Sequence, residues 1–237
     1  MENIANKVVL ITGGTKGIGY GVAESLMNEN ARVAITGRSK ATADVAAARL
    51  NQLGKGEAVG FAADVRKMAD QQKVVDSVIK KWGTLDVLIA NAGLGHFSPI
   101  ETLTEDQWHE TIDTNLTGVF YSVKASLEAI KKSRGYIITM ASLAGINFFA
   151  GATAYNASKF GLVGFTQALM LDVRNYGIKT TTILPGSVST NFNNHQPSEK
   201  DAWKIQPEDL GQMVIDLLKM NPRTLPSKIE VRPSIPK

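Results

Sequence analysis

The residues best suited to chemistry in this sequence are Tyr155 and Lys159, in the segment AYNASK at residues 154–159. Residues four apart share one face of a helix. A phenol titrates near 10, and a nearby positive charge lowers its pKa by about 1–3 units, toward the range where it exchanges protons. The spacing therefore predicts an acid or base, with Lys159 lowering the pKa of Tyr155. The alternative is a chance spacing in an ordinary helix.

A glycine-rich turn, TGGTKGIG at residues 12–19, follows the first apolar run and precedes a helical pattern. Glycines let the backbone approach a pyrophosphate closely, and the amides that open the next helix face it. The position between strand and helix favours a nucleotide cradle over a turn without a ligand. The glycine spacing, at residues 13, 17 and 19, differs from the GxGxxG fingerprint.

The end of the second predicted strand reads TGRS at residues 36–39, without the acidic residue that usually binds the ribose 2′-hydroxyl of NAD. Arg38 follows the strand instead, and Lys16 lies in the glycine turn. Two cations suit a 2′-phosphate, and a guanidinium matches phosphate oxygens well. The sequence predicts NADPH rather than NADH, the alternative being two solvated surface cations.

Length and composition limit the classes of protein. The chain has 237 residues, 43% hydrophobic residues and a net charge of +4, which are ordinary values for a globular protein. With no Cys and three scattered His, thiolate chemistry is excluded and we expect no metal site. We find no aromatic-interleaved basic cluster and no long apolar run, so we expect neither nucleic acid nor a membrane as a partner. We expect a cytoplasmic location.

Short apolar runs alternate with amphipathic segments along almost the whole chain, the pattern of repeated βαβ units. Runs such as VLIA at 87–90 are apolar on both faces, as strands covered on both sides must be. We predict one α/β domain over residues 1–237, with ligands beyond the carboxyl ends of the strands. Predicted strands are 7–12, 31–36, 58–63, 85–90, 135–141, 178–184 and 228–232; predicted helices are 18–28, 40–53, 67–81, 104–131, 153–175 and 207–220.

Seven motifs in order along residues 7–190 resemble, when read together, the classical short-chain dehydrogenase/reductase family. They are the glycine turn, Asp64-Val65, Asn91-Ala92-Gly93, Asn115, Ser142, Tyr155 with Lys159, and Pro185-Gly186. The resemblance implies a Rossmann-type, doubly wound three-layer sandwich around a mostly parallel seven-stranded sheet. The core is similar to that of bacterial 3-oxoacyl-[acyl-carrier-protein] reductase-like members.

The resemblance implies a catalytic set of four residues. Tyr155 would protonate a carbonyl oxygen as hydride arrives, and Ser142 would donate to the same oxygen. Lys159 would bind the nicotinamide ribose and favour the tyrosinate. Asn115 would kink its helix and hold a water that connects Lys159 to solvent.

The resemblance also implies contacts with NADP(H), from adenine at one end to nicotinamide at the other. Asp64 and Val65 would meet the adenine, and the segment around Pro185 would face the nicotinamide. The expected contact residues are Thr12, Gly13, Thr15, Lys16, Gly17, Ile18, Gly19, Arg38, Asp64, Val65, Asn91, Ala92, Gly93, Tyr155, Lys159, Pro185, Gly186, Val188 and Thr190.

The substrate is left open by the sequence. A substrate loop is expected at about 190–206, and the apolar stretch 146–149 predicts a pocket wall or a subunit contact. The ending LPSKIEVRPS at 225–234 departs from the Gly-rich close of acyl-carrier reductases. Lys131, Lys132 and Arg134 are either a docking group for an acidic carrier protein or a solvated helix end.

Three functions stay open. The first is an NADPH-dependent oxidoreductase acting on a small-molecule carbonyl or secondary alcohol. The second is a 3-oxoacyl-[acyl-carrier-protein] reductase, and the third is a non-catalytic nucleotide-sensing regulatory protein on the same fold. The resemblance implies a homotetramer or homodimer assembled through the helices near 104–131 and 153–175.

Overall fold

The computed structural model describes residues 3–235. Strands and helices alternate through this range as predicted, with ends within about three residues of the predicted ones except in the segment 104–131. The strands are β1 (Val8–Ile11), β2 (Arg32–Gly37), β3 (Glu57–Ala62), β4 (Val87–Ala90), β5 (Tyr136–Met140), β6 (Lys179–Pro185) and β7 (Lys228–Val231). The helices are α1 (Gly17–Asn28), α2 (Lys40–Asn51), α3 (Met68–Trp82), α4 (Glu105–Ile112), α5 (Gly118–Ser133), α6 (Thr153–Val173) and α7 (Pro207–Lys219).

The seven strands form one sheet in the order β3-β2-β1-β4-β5-β6-β7, and every neighbouring pair is parallel. The sequence predicted a mostly parallel sheet; the structure makes it entirely so. The strand order reverses direction between β1 and β4, which is the point where ligands bind in sheets of this kind.

Two hydrophobic cores lie on opposite faces of the sheet. Alternate strand residues point to each face, so Val9 and Ile11 join the core under α1, α2 and α7. Val8 and Leu10 join the core under α3, α5 and α6. Alternation along a strand places successive side chains on opposite faces, which produces the predicted three-layer sandwich.

Local sequence fixes several helix ends. Thr104 and Gln107 form a reciprocal capping box at the start of α4, which satisfies two backbone amides that a helix leaves without partners. Gly83 ends α3 in the left-handed conformation with φ 81°, which glycine adopts at little steric cost. No helix within residues 3–235 is long and apolar enough to cross a membrane.

The segment predicted as one helix over 104–131 is helical throughout, and it contains a π-helical turn at the place where the family resemblance implied a kink at Asn115. The structure divides this segment into α4, a π-helical turn at Asp113–Thr117, and α5. The apolar spacing continues across the turn, so periodicity gave no sign of the break. The side chain of Asn115 explains it, as the site geometry shows below.

The segment 190–206 forms a compact loop whose two ends meet. A parallel bridge joins Val188 to Ile205. Inside the loop, the buried carboxylate of Asp201 accepts hydrogen bonds from His195 Nε2 and the Ser198 amide at 2.6 and 3.1 Å, and it pairs with Lys204 Nζ at 2.6 Å. This set of contacts, here called the loop latch, holds the segment together.

Candidate functional site

The ends of β1 and β4 are fastened together at the reversal point of the sheet. The Thr12 hydroxyl accepts hydrogen bonds from the amides of Asn91 and Ala92 at 3.0 and 3.1 Å. The Asn91 side chain donates to the carbonyl oxygens of Thr12 and Gly13 at 3.0 and 3.1 Å. These bonds fix the glycine turn in place without any ligand.

The glycine turn forms a cradle that side chains would fill. Gly13 and Gly17 have φ of 64° and 58°, a conformation that favours glycine. A Cβ on Gly13 would lie 2.9 Å from the Ala92 backbone, and one on Gly19 would lie 2.5 Å from Asn91 Nδ2. No side chain within residues 3–235 caps the N-terminus of α1, so its first amides suit an anionic group. The cradle fits a dinucleotide pyrophosphate, while Ile18 packs into the core.

The two cations predicted for a 2′-phosphate lie at one end of this cradle. Lys16 is the residue before α1, and Arg38 follows β2. Both are exposed. Thr15, in the glycine turn, packs against Gly37 at the end of β2: a Cβ on Gly37 would come within 2.6 Å of the Thr15 methyl group. The fold therefore brings the glycine turn next to the end of β2.

The next strand end carries Asp64 and Val65. The Asp64 carboxylate is bound by the Arg66 guanidinium, with distances from 2.7 to 3.1 Å, and this hydrogen bonding lowers the pKa of Asp64. Sequence reasoning missed Arg66, although a cation two residues after an acid in a strand-end turn is a visible signal. Val65 is buried and meets Gly118, where a Cβ would lie 2.8 Å from the valine side chain.

Lys159 lies inside the site rather than at its surface. It is 5% exposed, and its Nζ donates to the carbonyl oxygen of Met140 at the end of β5 over 3.0 Å. Burial lowers the pKa of Lys159 to about 8, because taking the ammonium out of water disfavours its charged form. A Cβ on Gly93 would be 3.6 Å from Nζ, so the β4 end approaches this amine.

Tyr155 lies beside Lys159, whose Nζ is 5.7 Å from the tyrosine ring centre. The sequence predicted that Lys159 lowers the pKa of Tyr155, and this prediction was wrong. Burial raises the pKa of Tyr155, and the smaller opposing effect is a hydrogen bond with the Ser142 side chain. Desolvation favours the neutral form of both groups, so Tyr155 keeps its phenol proton in this environment.

Ser142 and Asn115 complete the predicted catalytic set. Ser142 follows β5 and its Oγ accepts from the Ala144 amide at 3.1 Å. Asn115 is fully buried in the π-helical turn; its side chain exchanges hydrogen bonds with the Leu94 amide and carbonyl at 2.9 and 2.8 Å, and donates to Ser158 Oγ at 3.0 Å. The wide turn thus ties α4 and α5 to the segment after β4, which accounts for the break in the predicted helix.

The segment after β6 reaches the opposite side of the cradle. Pro185 ends β6, and a Cβ on Gly186 would lie 3.0 Å from Leu143. Thr190 is buried, and its side chain lies beside Gly17, at 3.4 Å from the position of an added Cβ. The sequence-predicted site segments therefore lie along the carboxyl edge of the sheet.

Sequence reasoning missed two phenylalanines beside Tyr155. The Phe97 ring lies 5.2 Å from the tyrosine ring, and the Phe192 ring lies 5.8 Å from it. Phe149, from the apolar stretch predicted as a pocket wall, stacks on Phe97 at 6.1 Å. The signal available from sequence was only that each belongs to a loop after a strand, and such loops meet at one edge of a parallel sheet.

Comparison with known proteins agrees with this geometry. The family model for short chain dehydrogenases matches residues 7–201. An uncharacterised oxidoreductase of Staphylococcus saprophyticus is 30% identical over 239 aligned residues, covering 98% of this chain and all of the relative.

Solved structures are similar along the whole chain. An alcohol dehydrogenase from the archaeon Thermococcus sibiricus, complexed with 5-hydroxy-NADP, is 27% identical, with a TM-score of 0.91 over 98% of both chains. A 3-ketoacyl-(acyl-carrier-protein) reductase from Brucella melitensis, complexed with NADH, is 25% identical, with a TM-score of 0.88 over 98% of both chains. With its parallel sheet, glycine cradle and matched family model, this chain belongs to the short-chain dehydrogenase family of oxidoreductases.

Proposed function

We propose that this oxidoreductase uses NADPH to reduce a small-molecule ketone or aldehyde, and that it also runs in the alcohol-oxidising direction. The observation that carries the proposal is the meeting of Ser142, Tyr155 and buried Lys159 beside the glycine cradle. A proton donor, a second hydroxyl and an amine at one point suit a carbonyl oxygen that gains negative charge.

Each residue of the set has a task in this proposal. Tyr155 gives its proton to the carbonyl oxygen, and Ser142 donates a hydrogen bond that orients the oxygen and stabilises the charge developing on it. Lys159 stabilises the tyrosinate left behind and binds the cofactor ribose. The glycine cradle and Lys159 would hold NADPH, which would supply the hydride for the carbonyl carbon. Asn115 acts as a positioning residue that holds the β4 end against α6.

The wild-type protein tests the reaction class directly. We expect NADPH absorbance to fall with at least one member of a panel of α-diketones, β-ketoesters, aldehydes, aryl ketones and a 3-oxoacyl thioester. Silence across the panel with tight NADPH binding would instead favour the nucleotide-sensing alternative. The intact Asn115, Ser142, Tyr155 and Lys159 set argues against a sensor, because a sensor needs no proton donor.

The preference for NADPH rests on Lys16 and Arg38, both exposed at the adenosine end of the cradle. The related structures named above contain an NADP derivative in one case and NADH in the other, so they leave the choice to this chain's own residues. A guanidinium beside the 2′-phosphate forms charge-assisted hydrogen bonds, which are about twice as strong as neutral ones.

We predict that Arg38→Asp lowers kcat/KM with NADPH by about 10- to 100-fold and leaves or improves the value with NADH, because the carboxylate repels a phosphate and accepts from a ribose hydroxyl. Steady-state rates with both cofactors measure the ratio. Lys55→Asp is the matched control, since Lys55 is an exposed cation in the turn before β3, at the other edge of the sheet. Unchanged selectivity in Arg38→Asp would place the phosphate elsewhere.

A carrier-bound 3-oxoacyl chain is the second candidate substrate, favoured by the similarity to the Brucella melitensis reductase. The basic group at Lys131, Lys132 and Arg134 gives this candidate little support. It lies at the start of β5, at the amino edge of the sheet, whereas the site lies at the carboxyl edge. Lys131 is already paired with Glu128 at 2.9 Å and lies over the Tyr176 ring.

We also infer a homodimer or homotetramer. Large apolar side chains remain exposed on the helices expected to pair, with Phe120 on α5 and Phe160 and Leu171 on α6 exposed by 46%, 43% and 52%. Apolar surface of this kind marks protein contacts. Light scattering distinguishes an oligomer from a 25.5 kDa monomer.

The cytoplasmic location stays a prediction, which cell fractionation tests. The single domain also stays a prediction, which calorimetry tests.

A further inference from the structure

Three phenylalanines leave apolar surface in water around the candidate acid. Phe97, Phe149 and Phe192 are exposed by 40%, 52% and 39%. They come from the segments after β4, β5 and β6 respectively. Burying a phenylalanine ring is favourable, so three half-exposed rings at one place are unfavourable unless a ligand covers them.

Two of the three rings lie against Tyr155. Phe97 and Phe192 are 5.2 and 5.8 Å from the Tyr155 ring centre and 6.4 Å from each other, at interplanar angles between 52° and 71°. Phe149 extends the group by stacking on Phe97 at 6.1 Å. We call Phe97, Phe149 and Phe192 the aromatic clamp.

The clamp and the polar groups divide the site by chemistry. Ser142 hydrogen-bonds the tyrosine and Lys159 Nζ lies 5.7 Å from its ring centre, while Phe97 and Phe192 add apolar rings beside it. A ligand that fits both parts has a carbonyl at one end and an apolar ring directly beside it. Aromatic rings gain edge-to-face and offset contacts that saturated rings of similar size do not.

We propose that the clamp selects ketones whose carbonyl is joined directly to an aryl ring, and aryl carbinols in the reverse direction. The catalytic part of this inference rests on the proposed function; the binding part does not. A flexible acyl chain would cover the rings but gain no ring-to-ring contact. A subunit contact would explain the exposure of the rings but not why two of them lie against Tyr155.

The test compares acetophenone with cyclohexyl methyl ketone, which has the same carbon skeleton and a saturated ring. We expect Phe97→Leu to lower kcat/KM for acetophenone about 3- to 10-fold more than for the saturated ketone, because leucine keeps apolar volume and removes the ring. Phe192→Leu should act likewise. Phe148→Leu is the control, since Phe148 is 84% exposed and next to Phe149 but outside the clamp.

A binding readout separates this inference from the proposed reaction. Saturation-transfer NMR measures acetophenone binding to the protein with and without NADP⁺, conditions in which no ketone is reduced. We expect binding that weakens at least about 3-fold in the Phe97→Leu/Phe192→Leu double variant and is kept in Phe148→Leu. Circular dichroism establishes that each variant is folded.

The outcomes separate as follows. If acetophenone binding depends on the clamp but no ketone is reduced, the clamp is supported as a binding site and the proposed reaction is contradicted. Equal kcat/KM for the two ketones, with no change in the clamp variants, would show that the clamp does not select aryl ketones. The proposed reaction would still be supported. A loss of oligomer mass in the double variant, with acetophenone binding unchanged, would show that the rings form a subunit contact and would also overturn the inference.

Discussion

Burial sets the charge states of the side chains at the site, because desolvation lowers the pKa of Lys159 and raises that of Tyr155. The spacing of Tyr155 and Lys159 predicted a shared helix face, but only the full set of seven motifs favoured this pair over a chance spacing. The glycine turn was predictable from its place between strand and helix. Phe97 and Phe192 were not predictable, because they are 95 residues apart and meet only through the fold. The charge states were not predictable either, since they depend on burial rather than on spacing.

The buried amine of Lys159 makes stability depend on pH. Its pKa is about 8 in the folded protein against an ordinary value of 10.5, so the unfolded chain binds more protons between these values. The resulting destabilisation is complete below pH 8 and disappears as the pH rises toward 10.5. From pH 8 to pH 10, wild type should therefore gain about 2 kcal/mol in free energy of unfolding relative to Lys159→Met.

Denaturant unfolding at pH 7, 8, 9 and 10 measures this difference. Comparing wild type with Lys159→Met cancels the titration of the other groups that the two proteins share. A difference that stays constant across the range would mean that water reaches the amine and that Lys159 keeps its ordinary pKa.

Whole elements place these residues, and the alternating pattern of strands and helices predicted them well. Strands covered on both faces must be apolar on both, and this constraint is visible in a short sequence. The π-helical turn between α4 and α5 lies where the family resemblance implied a kink, at Asn115, but the contact with Leu94 that holds it, 21 residues earlier, could not be read from periodicity. The loop after β6 also lacks periodicity, so its latch could not be read from the sequence.

The loop latch gives a prediction at this scale. Asp201 is 5% exposed, and its hydrogen bonds with Lys204 and His195 hold the pKa of its carboxyl well below the usual range. Asp201→Asn removes the charge, and we expect several-fold faster trypsin cleavage after Lys200 and a several-fold higher KM for the ketone. Glu199→Gln is the control, being an exposed acid of the same loop outside the latch.

Cleavage at the same rate in Asp201→Asn and wild type would show that the bridge between Val188 and Ile205 closes the loop without the latch. The Asp201 carboxylate stabilises the folded loop fully at pH values above the pKa that an aspartate has in the unfolded chain. This stabilisation is lost as the pH falls through the lower pKa that Asp201 has in the folded protein. The loop should therefore stay closed at mildly acidic pH.

The whole molecule brings distant segments, with residues from 12 to 192, to one edge of a parallel sheet. Parallel strands present all their carboxyl ends on the same side, and the reversal between β1 and β4 opens the crevice there. This arrangement was predictable as a class, and the family resemblance extends it. The substrate was not, because the rings that we propose contact it lie on loops whose shape no repeat determines.

The central claim is that Tyr155 supplies the proton to a carbonyl, and one comparison tests it most directly. Reduction of acetophenone, or of the best ketone or aldehyde in the panel, is measured by loss of NADPH absorbance in wild type, Tyr155→Phe and Tyr176→Phe. Tyr176 is the matched control, since it is half exposed at the amino edge of the sheet. Cofactor binding is measured in all three proteins by fluorescence titration.

We predict that Tyr155→Phe loses at least about 100-fold in kcat, the scale of general acid catalysis, while its affinity for NADPH changes less than about 3-fold and Tyr176→Phe behaves as wild type. Turnover in Tyr155→Phe at the wild-type rate would contradict the account, because the proton would then come from another group.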